Sequence, residues 1–209
     1  MLNLFWKCVL LIPLMILLAG CDGEAQVESN QSAAEGSAEV EESAEQQEPA
    51  PAPEEVKLTK ATWEEVMEAT KSHPGKVVVL DVWSTSCQPC LREFPNLVAL
   101  SEKYPEQVVC LSCSTDYIGI SSKPPKYYEE QVRKFLSAQN AKFDNYLCTE
   151  AADEIFLKID LASIPAVYVF GPEGELVERF DNDEQKYGDE FTYEEHILPK
   201  VKSLLETTE

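Results

Sequence analysis

The chain has 209 residues, of which 38 are acidic and 17 are basic, so its formal net charge at neutral pH is −21. Phosphates would repel such an acidic protein, which argues against nucleic acid as a partner. The seven cysteines are spread over the whole length, unlike those of a small disulfide-stapled scaffold, and each therefore needs its own interpretation.

The first segment of the chain is apolar and short. Residues 8–18 are too few to span a hydrocarbon core of ~30 Å but have the length of a signal-peptide core. The sequence Leu18-Ala19-Gly20-Cys21 resembles the lipobox of bacterial lipoproteins. That resemblance implies a signal peptide over 1–20 and a lipid anchor on Cys21, with an ordinary secretory signal or an uncleaved anchor as alternatives.

An acidic segment follows the lipobox. Residues 22–55 contain eleven acidic residues, no Lys or Arg, and several prolines near their end. Such a composition buries too little apolar surface to offset the entropy of ordering the chain. We therefore expect 21–55 to be a lipidated, disordered tether that attaches a folded domain over 56–209 to a bacterial membrane.

The folded part alternates apolar strands with helices, which predicts an α/β sandwich with a mixed sheet. A capping box, with Thr62 at the cap and Glu65 three residues later, marks the first helix. In chain order, the predicted elements are a helix over 62–72, a strand over 76–83, a helix over 89–104, a strand over 108–114, a helix over 127–139, a strand over 143–148, a helix over 151–158, a hairpin over 166–170 and 175–180, and a helix over 192–205.

Two cysteines lie where the strand over 76–83 turns into a helix, in the sequence Cys87-Gln88-Pro89-Cys90. The unpaired N–H groups and the dipole of a helix N-terminus favour a thiolate, so Cys87 is the expected nucleophile. Cys90, one turn later, would then resolve the mixed disulfide that Cys87 forms. Asp81 would lie buried beneath the pair with a raised pKa, ready to take the proton of Cys90, or would be only a hydrogen-bonded core acid.

The run from Val79 to Trp83 and the motif from Cys87 to Cys90 resemble thioredoxin, with its strand, buried acid, tryptophan and active site at the same spacing. The sequence Ser163-Ile164-Pro165-Ala166-Val167 is similar to the cis-proline loop of that family. The resemblance covers residues 56–209 and implies a three-layer sandwich with a central mixed sheet and a redox-active disulfide between Cys87 and Cys90. It also implies a substrate-binding surface formed by Trp83, Gln88, Pro89, Ile164 and Pro165, in which Ile164 pairs with the substrate backbone.

The long stretch over 117–150 is more like the membrane-anchored TlpA/ResA group. That resemblance implies an extracytoplasmic reductant of protein disulfides, several relatives acting in cytochrome c maturation, with a membrane-embedded electron donor and no cofactor. Ser86 departs from the bulky residue that is common at its position. We also expect no buried glutamate of the kind that supports some cytochrome-maturation members.

Three further cysteines have other interpretations. Cys110 and Cys113 lie three residues apart on a predicted strand, ~10 Å from each other and on opposite faces, so they cannot easily pair. They are expected to be buried small apolar residues, and a zinc site built from the two Cys-x-x-Cys sequences is a minor alternative. Cys148 is interpreted as a loop thiol near the active face, either structural or a secondary redox site.

Two other functional classes remain open. A peroxiredoxin shares the fold but needs Pro-x-x-x-Thr-x-x-Cys, whereas the position three residues before Cys87 is Ser84 and no proline precedes it. A copper-delivering protein of the Sco type would need Cys-x-x-x-Cys and a downstream histidine, for which His196 is poorly placed. The leading prediction is therefore a dithiol reductant without a metal.

Overall fold

A computed structural model describes residues 56–183 and 185–207. The predicted signal peptide over 1–20 and the predicted tether over 21–55, including Cys21, lie outside the described residues. The elements in chain order are β1 Leu58–Ala61, α1 Trp63–Thr70, β2 Val77–Trp83, α2 Gln88–Lys103, β3 Val108–Ser114, α3 Pro125–Ala138, β4 Asp144–Cys148, α4 Ala152–Lys158, β5 Ala166–Phe170, β6 Leu176–Phe180, a π-helical turn Tyr193–Ile197 and α5 Leu198–Glu206.

The strands form one mixed sheet in the order β1-β4-β3-β2-β5-β6. The neighbouring strands β1, β4, β3 and β2 pair in parallel. On the other side of β2, β5 pairs antiparallel with β2, and β6 pairs antiparallel with β5. β2 lies inside the sheet and all seven of its residues are buried, as its nearly continuous apolar run predicts. The C-terminal ends of the parallel strands share one edge, and the Cys87–Cys90 motif follows β2 at that edge.

Helices cover both faces of the sheet. One core cluster joins the sheet to α2, α3 and α5 through side chains such as Phe94, Leu136 and Val201. The other joins it to α1 and α4 through side chains such as Val66 and Ile155. The three-layer sandwich with a central mixed sheet is therefore confirmed.

Most predicted elements are present, with local differences. The Thr62–Glu65 capping box is confirmed, and α2 begins at Gln88, so Pro89 is its second residue and not its first. β1 was not predicted, because it is four residues long and half of it is exposed and polar. The predicted closing helix is divided into a π-helical turn and α5, next to Pro199, which has no N–H to donate to an α-helical turn.

None of the helices in the described part of the chain is both long and apolar enough to cross a membrane.

A buried asparagine connects the sheet to the loop before β4. Asn145 Nδ2 donates to the carbonyl oxygens of Ala141, Phe143 and Lys57, at 3.0, 2.7 and 3.2 Å. Its Oδ1 accepts from the Ser112 hydroxyl at 2.7 Å. One side chain that is 1% exposed thereby contacts four polar groups of three different segments.

We expect Asn145→Ala to lower the free energy of unfolding by about 2–4 kcal/mol, because it leaves buried polar groups without partners. Urea unfolding of the wild type and the variant measures the loss. Asn96→Ala is the control, since this amide bonds only to Glu93 and should cost within about 0.5 kcal/mol. Equal losses in the two variants would contradict this interpretation of Asn145.

Candidate active site

Cys87 and Cys90 form a disulfide at the start of α2, with an S–S distance of 2.04 Å and a Cα–Cα distance of 5.3 Å. Cys87 is the N-cap residue, and its Sγ accepts the Cys90 backbone N–H at 3.2 Å. Cys87 is partly exposed, whereas Cys90 is only 2% exposed. From the solvent, Cys87 is therefore the accessible sulfur of the pair, and Cys90 is shielded behind it.

The helix that follows Cys87 favours negative charge on this sulfur. α2 is 16 residues long and has no acidic residue in its first turn, so no carboxylate opposes a thiolate there. The Cys90 N–H points at Cys87 Sγ and is a direct hydrogen-bond donor to it. This donor adds to the effect of the helix dipole, and both favour a thiolate on Cys87. The predicted roles of Cys87 as the nucleophile and Cys90 as the resolving thiol fit this arrangement.

The loop before β5 lies against the pair. The Ile164–Pro165 peptide bond is cis, as predicted, and the carbonyl oxygen of Ile164 lies 3.8 Å from Cys87 Sγ. Ile164 is partly exposed, so its backbone lies beside the reactive sulfur at the surface. An extended client segment bound to Cys87 would meet this backbone.

A buried carboxylate holds the loop that precedes Cys87. Asp116, which is 5% exposed, accepts the Thr85 N–H at 3.1 and 3.2 Å through its two oxygens and also contacts the Thr85 hydroxyl. Ser114 and Gln131 donate to the same carboxylate at 2.6 and 3.1 Å. Asp116 was not predicted from the sequence, although its position two residues after the end of the parallel strand β3 is a signal for such a role.

Asp81 is buried in β2, as predicted. Asp81 lies on the same face of β2 as Val79 and Trp83. These two residues contribute to the core cluster that contains Cys90, so Asp81 faces α2. Burial raises the pKa of Asp81 to about 7, a hydrogen bond from the Tyr193 hydroxyl lowers it, and the charge of Glu93 raises it. An acid that titrates near neutral pH can both take and return a proton under physiological conditions.

Glu93 on α2 is a partly exposed acid close to Asp81. Its side chain is 15% exposed, and its charge raises the pKa of Asp81. Its Oε2 accepts the Tyr193 backbone N–H at 3.2 Å. Its position three residues after Cys90, one helical turn along α2, was a usable signal.

The predicted substrate-binding residues divide into two groups. Gln88 is exposed and Pro89 and Ile164 are partly exposed, so all three are accessible at the surface beside Cys87, with Pro165 buried behind them. The assignment of Trp83 to the substrate surface is wrong. Trp83 is 0% exposed and packs against the rings of Phe94 and Phe135, with centroids at 4.9 and 4.8 Å.

The chain is similar to known proteins in its fold and in part of its sequence. A thioredoxin-like protein solved in solution in its oxidised form superposes with a TM-score of 0.51 and 16% identity, over 66% of this chain and 83% of that one. A ResA thiol-disulfide oxidoreductase of Bacillus thuringiensis subsp. konkukian is 24% identical over 117 residues, or 56% of this chain. The ResA of Bacillus subtilis is 25% identical over 103 residues, or 49% of this chain.

This chain has a thioredoxin-like fold, and its sequence is similar to the ResA type. The matched regions span 61% and 51% of the two ResA relatives, so the similarity extends over little more than half of their length. No family model matches the chain.

Three further cysteines in the described part of the chain lie away from solvent. Cys110 and Cys113 are reduced, buried and on opposite faces of the sheet, as predicted. Cys148 is the last residue of β4 and is 0% exposed, so it is a buried strand residue and its interpretation as a loop thiol is wrong. Hydrogen bonding to Cys148 and burial raise the pKa of Cys113, which keeps that thiol protonated.

The two Cys-x-x-Cys sequences do not converge on one metal site, because Cys110 and Cys113 face opposite layers. Among residues 56–183 and 185–207, no group of three or more His, Cys, Asp or Glu side chains is placed to hold a metal ion.

The raised pKa of Asp81 makes stability depend on pH. The folded state binds this proton more tightly than the unfolded chain, whose carboxyl titrates near 3.8. The resulting stability is complete below about pH 4 and is lost as the pH rises through about 7. Urea unfolding of the oxidised chain should show a fall of roughly 2–4 kcal/mol over this range, and Asp81→Asn should abolish that fall.

Asp153→Asn is the matched control, because it replaces an exposed carboxylate on α4. This variant should retain the pH dependence of the wild type. A fall of unchanged size in Asp81→Asn would show that another group causes it.

Proposed function

We propose that this protein is a thiol–disulfide oxidoreductase that reduces disulfides of client proteins through Cys87 and Cys90. The observation that carries the proposal is the asymmetry of the pair. One sulfur is partly exposed at a helix N-terminus beside the Ile164 carbonyl, and the other is buried one turn further along the same helix. The ResA relatives are named thiol-disulfide oxidoreductases, which supports the same chemistry.

The reduced protein would act in two exchange steps. The Cys87 thiolate attacks one sulfur of the client disulfide, that S–S bond breaks, and the released client thiolate takes a proton from water. Cys90 then gives its proton to Asp81, and its sulfur attacks Cys87 Sγ. The Cys87–Cys90 disulfide forms, the second client thiolate leaves, and two electrons have passed to the client.

The direction of electron flow is argued from the two residues inside the motif. Gln88 and Pro89 separate the cysteines, and no histidine is present there to stabilise the Cys87 thiolate and make the pair oxidising. Continued reduction of clients requires a donor that returns two electrons to the pair. The resemblance to the TlpA/ResA group suggests a membrane-embedded donor and clients that include proteins of cytochrome c maturation.

The proposed location is outside the cytoplasm, with the protein attached to a bacterial membrane through lipid on Cys21. The support is in the sequence, where a lipobox-like segment precedes an acidic, proline-containing stretch. A tether of this length would reach roughly 30 Å as a random coil, which allows the domain to meet clients away from the bilayer.

The alternative functions have weaker support from the site. A peroxidatic site needs a threonine in a proline-containing loop, whereas Ser84 is 5% exposed and its hydroxyl lies 2.9 Å from that of Ser86. A Sco-type copper site needs a free histidine, whereas His196 Nδ1 accepts the Thr192 backbone N–H at 3.1 Å. Peroxide consumption and copper titration test these alternatives directly.

We expect the Cys87–Cys90 pair to have a reduction potential below about −230 mV, in the range of thioredoxin and the lower glutaredoxins. Equilibration of the full-length chain in dithiothreitol and glutathione buffers, followed by thiol alkylation, measures it. A potential above about −180 mV would make the protein an oxidant or isomerase and contradict the proposed direction.

We expect Cys90→Ser to accumulate mixed disulfides between Cys87 and client proteins, because the resolving thiol is missing. Non-reducing gels of cells expressing the variant should show adducts that thiol reagents release. Cys87→Ser is the matched control and should form none, since Cys90 is buried. Equal adducts in both variants would contradict the assigned roles of the two cysteines.

A further inference from the structure

A tyrosine from the C-terminal segment reaches the buried acid of the redox site. The Tyr193 hydroxyl donates to Asp81 Oδ2 at 2.7 Å, across 112 residues of sequence. Tyr193 is 0% exposed and Asp81 is 3% exposed, so water has little access to either group. A buried carboxylate without a donor would be costly, and the phenol supplies that donor from outside the Cys-x-x-Cys helix.

The position of Tyr193 is fixed by the same helix that carries Cys90. Tyr193 begins the π-helical turn, and its backbone N–H donates to Glu93 Oε2 on α2. The neighbouring Phe191 and Ile197 are both buried in the core cluster that contains Cys90. The phenol is thereby held between β2, which carries Asp81, and α2, which carries the redox pair.

The charged and titratable groups around Asp81 shift its pKa in different directions. Burial raises the pKa of Asp81, and Glu93 on α2 raises it further by like-charge repulsion. Cys110 on β3 faces the same carboxyl, and the charge of Asp81 contributes to the raised pKa of that thiol after the larger effect of burial. Of these neighbours in the described part of the chain, Tyr193 is the one whose hydrogen bond favours the carboxylate.

We propose that Tyr193 is a positioning residue of the redox site, whose hydroxyl holds the Asp81 carboxylate in place and in its ionised form so that it can receive the proton of Cys90. This inference rests on the proposed dithiol exchange, in which that proton must leave before the Cys90 sulfur attacks Cys87. Asp81 is the group that takes the proton, and Tyr193 acts only through Asp81.

The first test measures the titration of Asp81 itself, without any client. The oxidised full-length chain, labelled with ¹³C at aspartate carboxyl carbons, is titrated by NMR, and Asp81→Asn identifies the signal. Tyr193→Phe should raise the midpoint by about one pH unit, because it removes a hydrogen bond to a charged group. Tyr187→Phe is the matched control, since its hydroxyl bonds to Glu178 instead, and should leave the Asp81 midpoint unchanged.

The second test follows the resolving step. The reduced chain is mixed with a disulfide-containing peptide, and the release of the peptide from Cys87 is measured between pH 5 and 9. In Tyr193→Phe the pH at which this rate rises should increase by the same interval. At high pH the variant should reach the rate of the wild type. In an Asp81→Asn background, Tyr193→Phe should cause no further shift of this pH profile. If Tyr193 had a purely structural role, Tyr193→Phe would change the stability of the protein without moving the pH profile of the release rate.

The outcomes separate the two proposals. An Asp81 midpoint that does not move in Tyr193→Phe overturns the role of Tyr193, even if the protein reduces disulfides. A midpoint that moves in a protein whose Cys87 never exchanges with a disulfide overturns the proposed function, and with it the proton transfer from Cys90.

If Tyr193→Phe does not fold, a second variant that should shift the Asp81 midpoint in the opposite direction tests the proposal. Incorporation of 3-fluorotyrosine at position 193 retains the hydroxyl and makes it a stronger donor. The Asp81 midpoint should then fall, and a midpoint that rises or stays constant overturns the proposal.

Discussion

The burial of one carboxyl in the central strand is the constraint on which the rest of the site depends. β2 pairs with β3 on one side and β5 on the other, and helices cover both faces, so Asp81 has little access to water. In this environment its pKa rises to about 7. A carboxyl that would otherwise be charged near neutral pH becomes one that exchanges a proton there, which is the property required of the proposed proton acceptor for Cys90.

That constraint explains why distant parts of the chain meet at the redox pair. A buried acid needs a donor, and the C-terminal segment supplies it through Tyr193, while Glu93 fixes the backbone of that tyrosine to α2. On the exposed side of the pair, Asp116 after β3 holds the loop before Cys87. Elements from across the domain thus position two sulfurs that are only three residues apart in the sequence.

The sequence predicted those features that follow from local patterns. Each of these features depends on residues that are close together in the sequence. They are the strand–turn–helix placement of Cys87, the capping box at Thr62 and the buried run of β2. Contacts that depend on tertiary packing could not be predicted in this way. The Tyr193–Asp81 bond has no local signal, and β1 is too short and polar to have a strand pattern. Trp83 ends the buried run of β2, but its packing against rings from α2 and α3 has no local sequence signal.

Exposure also explains how five cysteines can coexist in one redox domain. In the described residues, Cys87 is the one cysteine with appreciable solvent access, since Cys90, Cys110, Cys113 and Cys148 are each at most 2% exposed. Burial also raises the pKa of Cys110, and a protonated thiol is a poor nucleophile. In the proposed exchange with a client, access therefore directs the reaction to Cys87, and proximity directs it to Cys90. The remaining thiols of the described residues contribute to the core as small apolar groups.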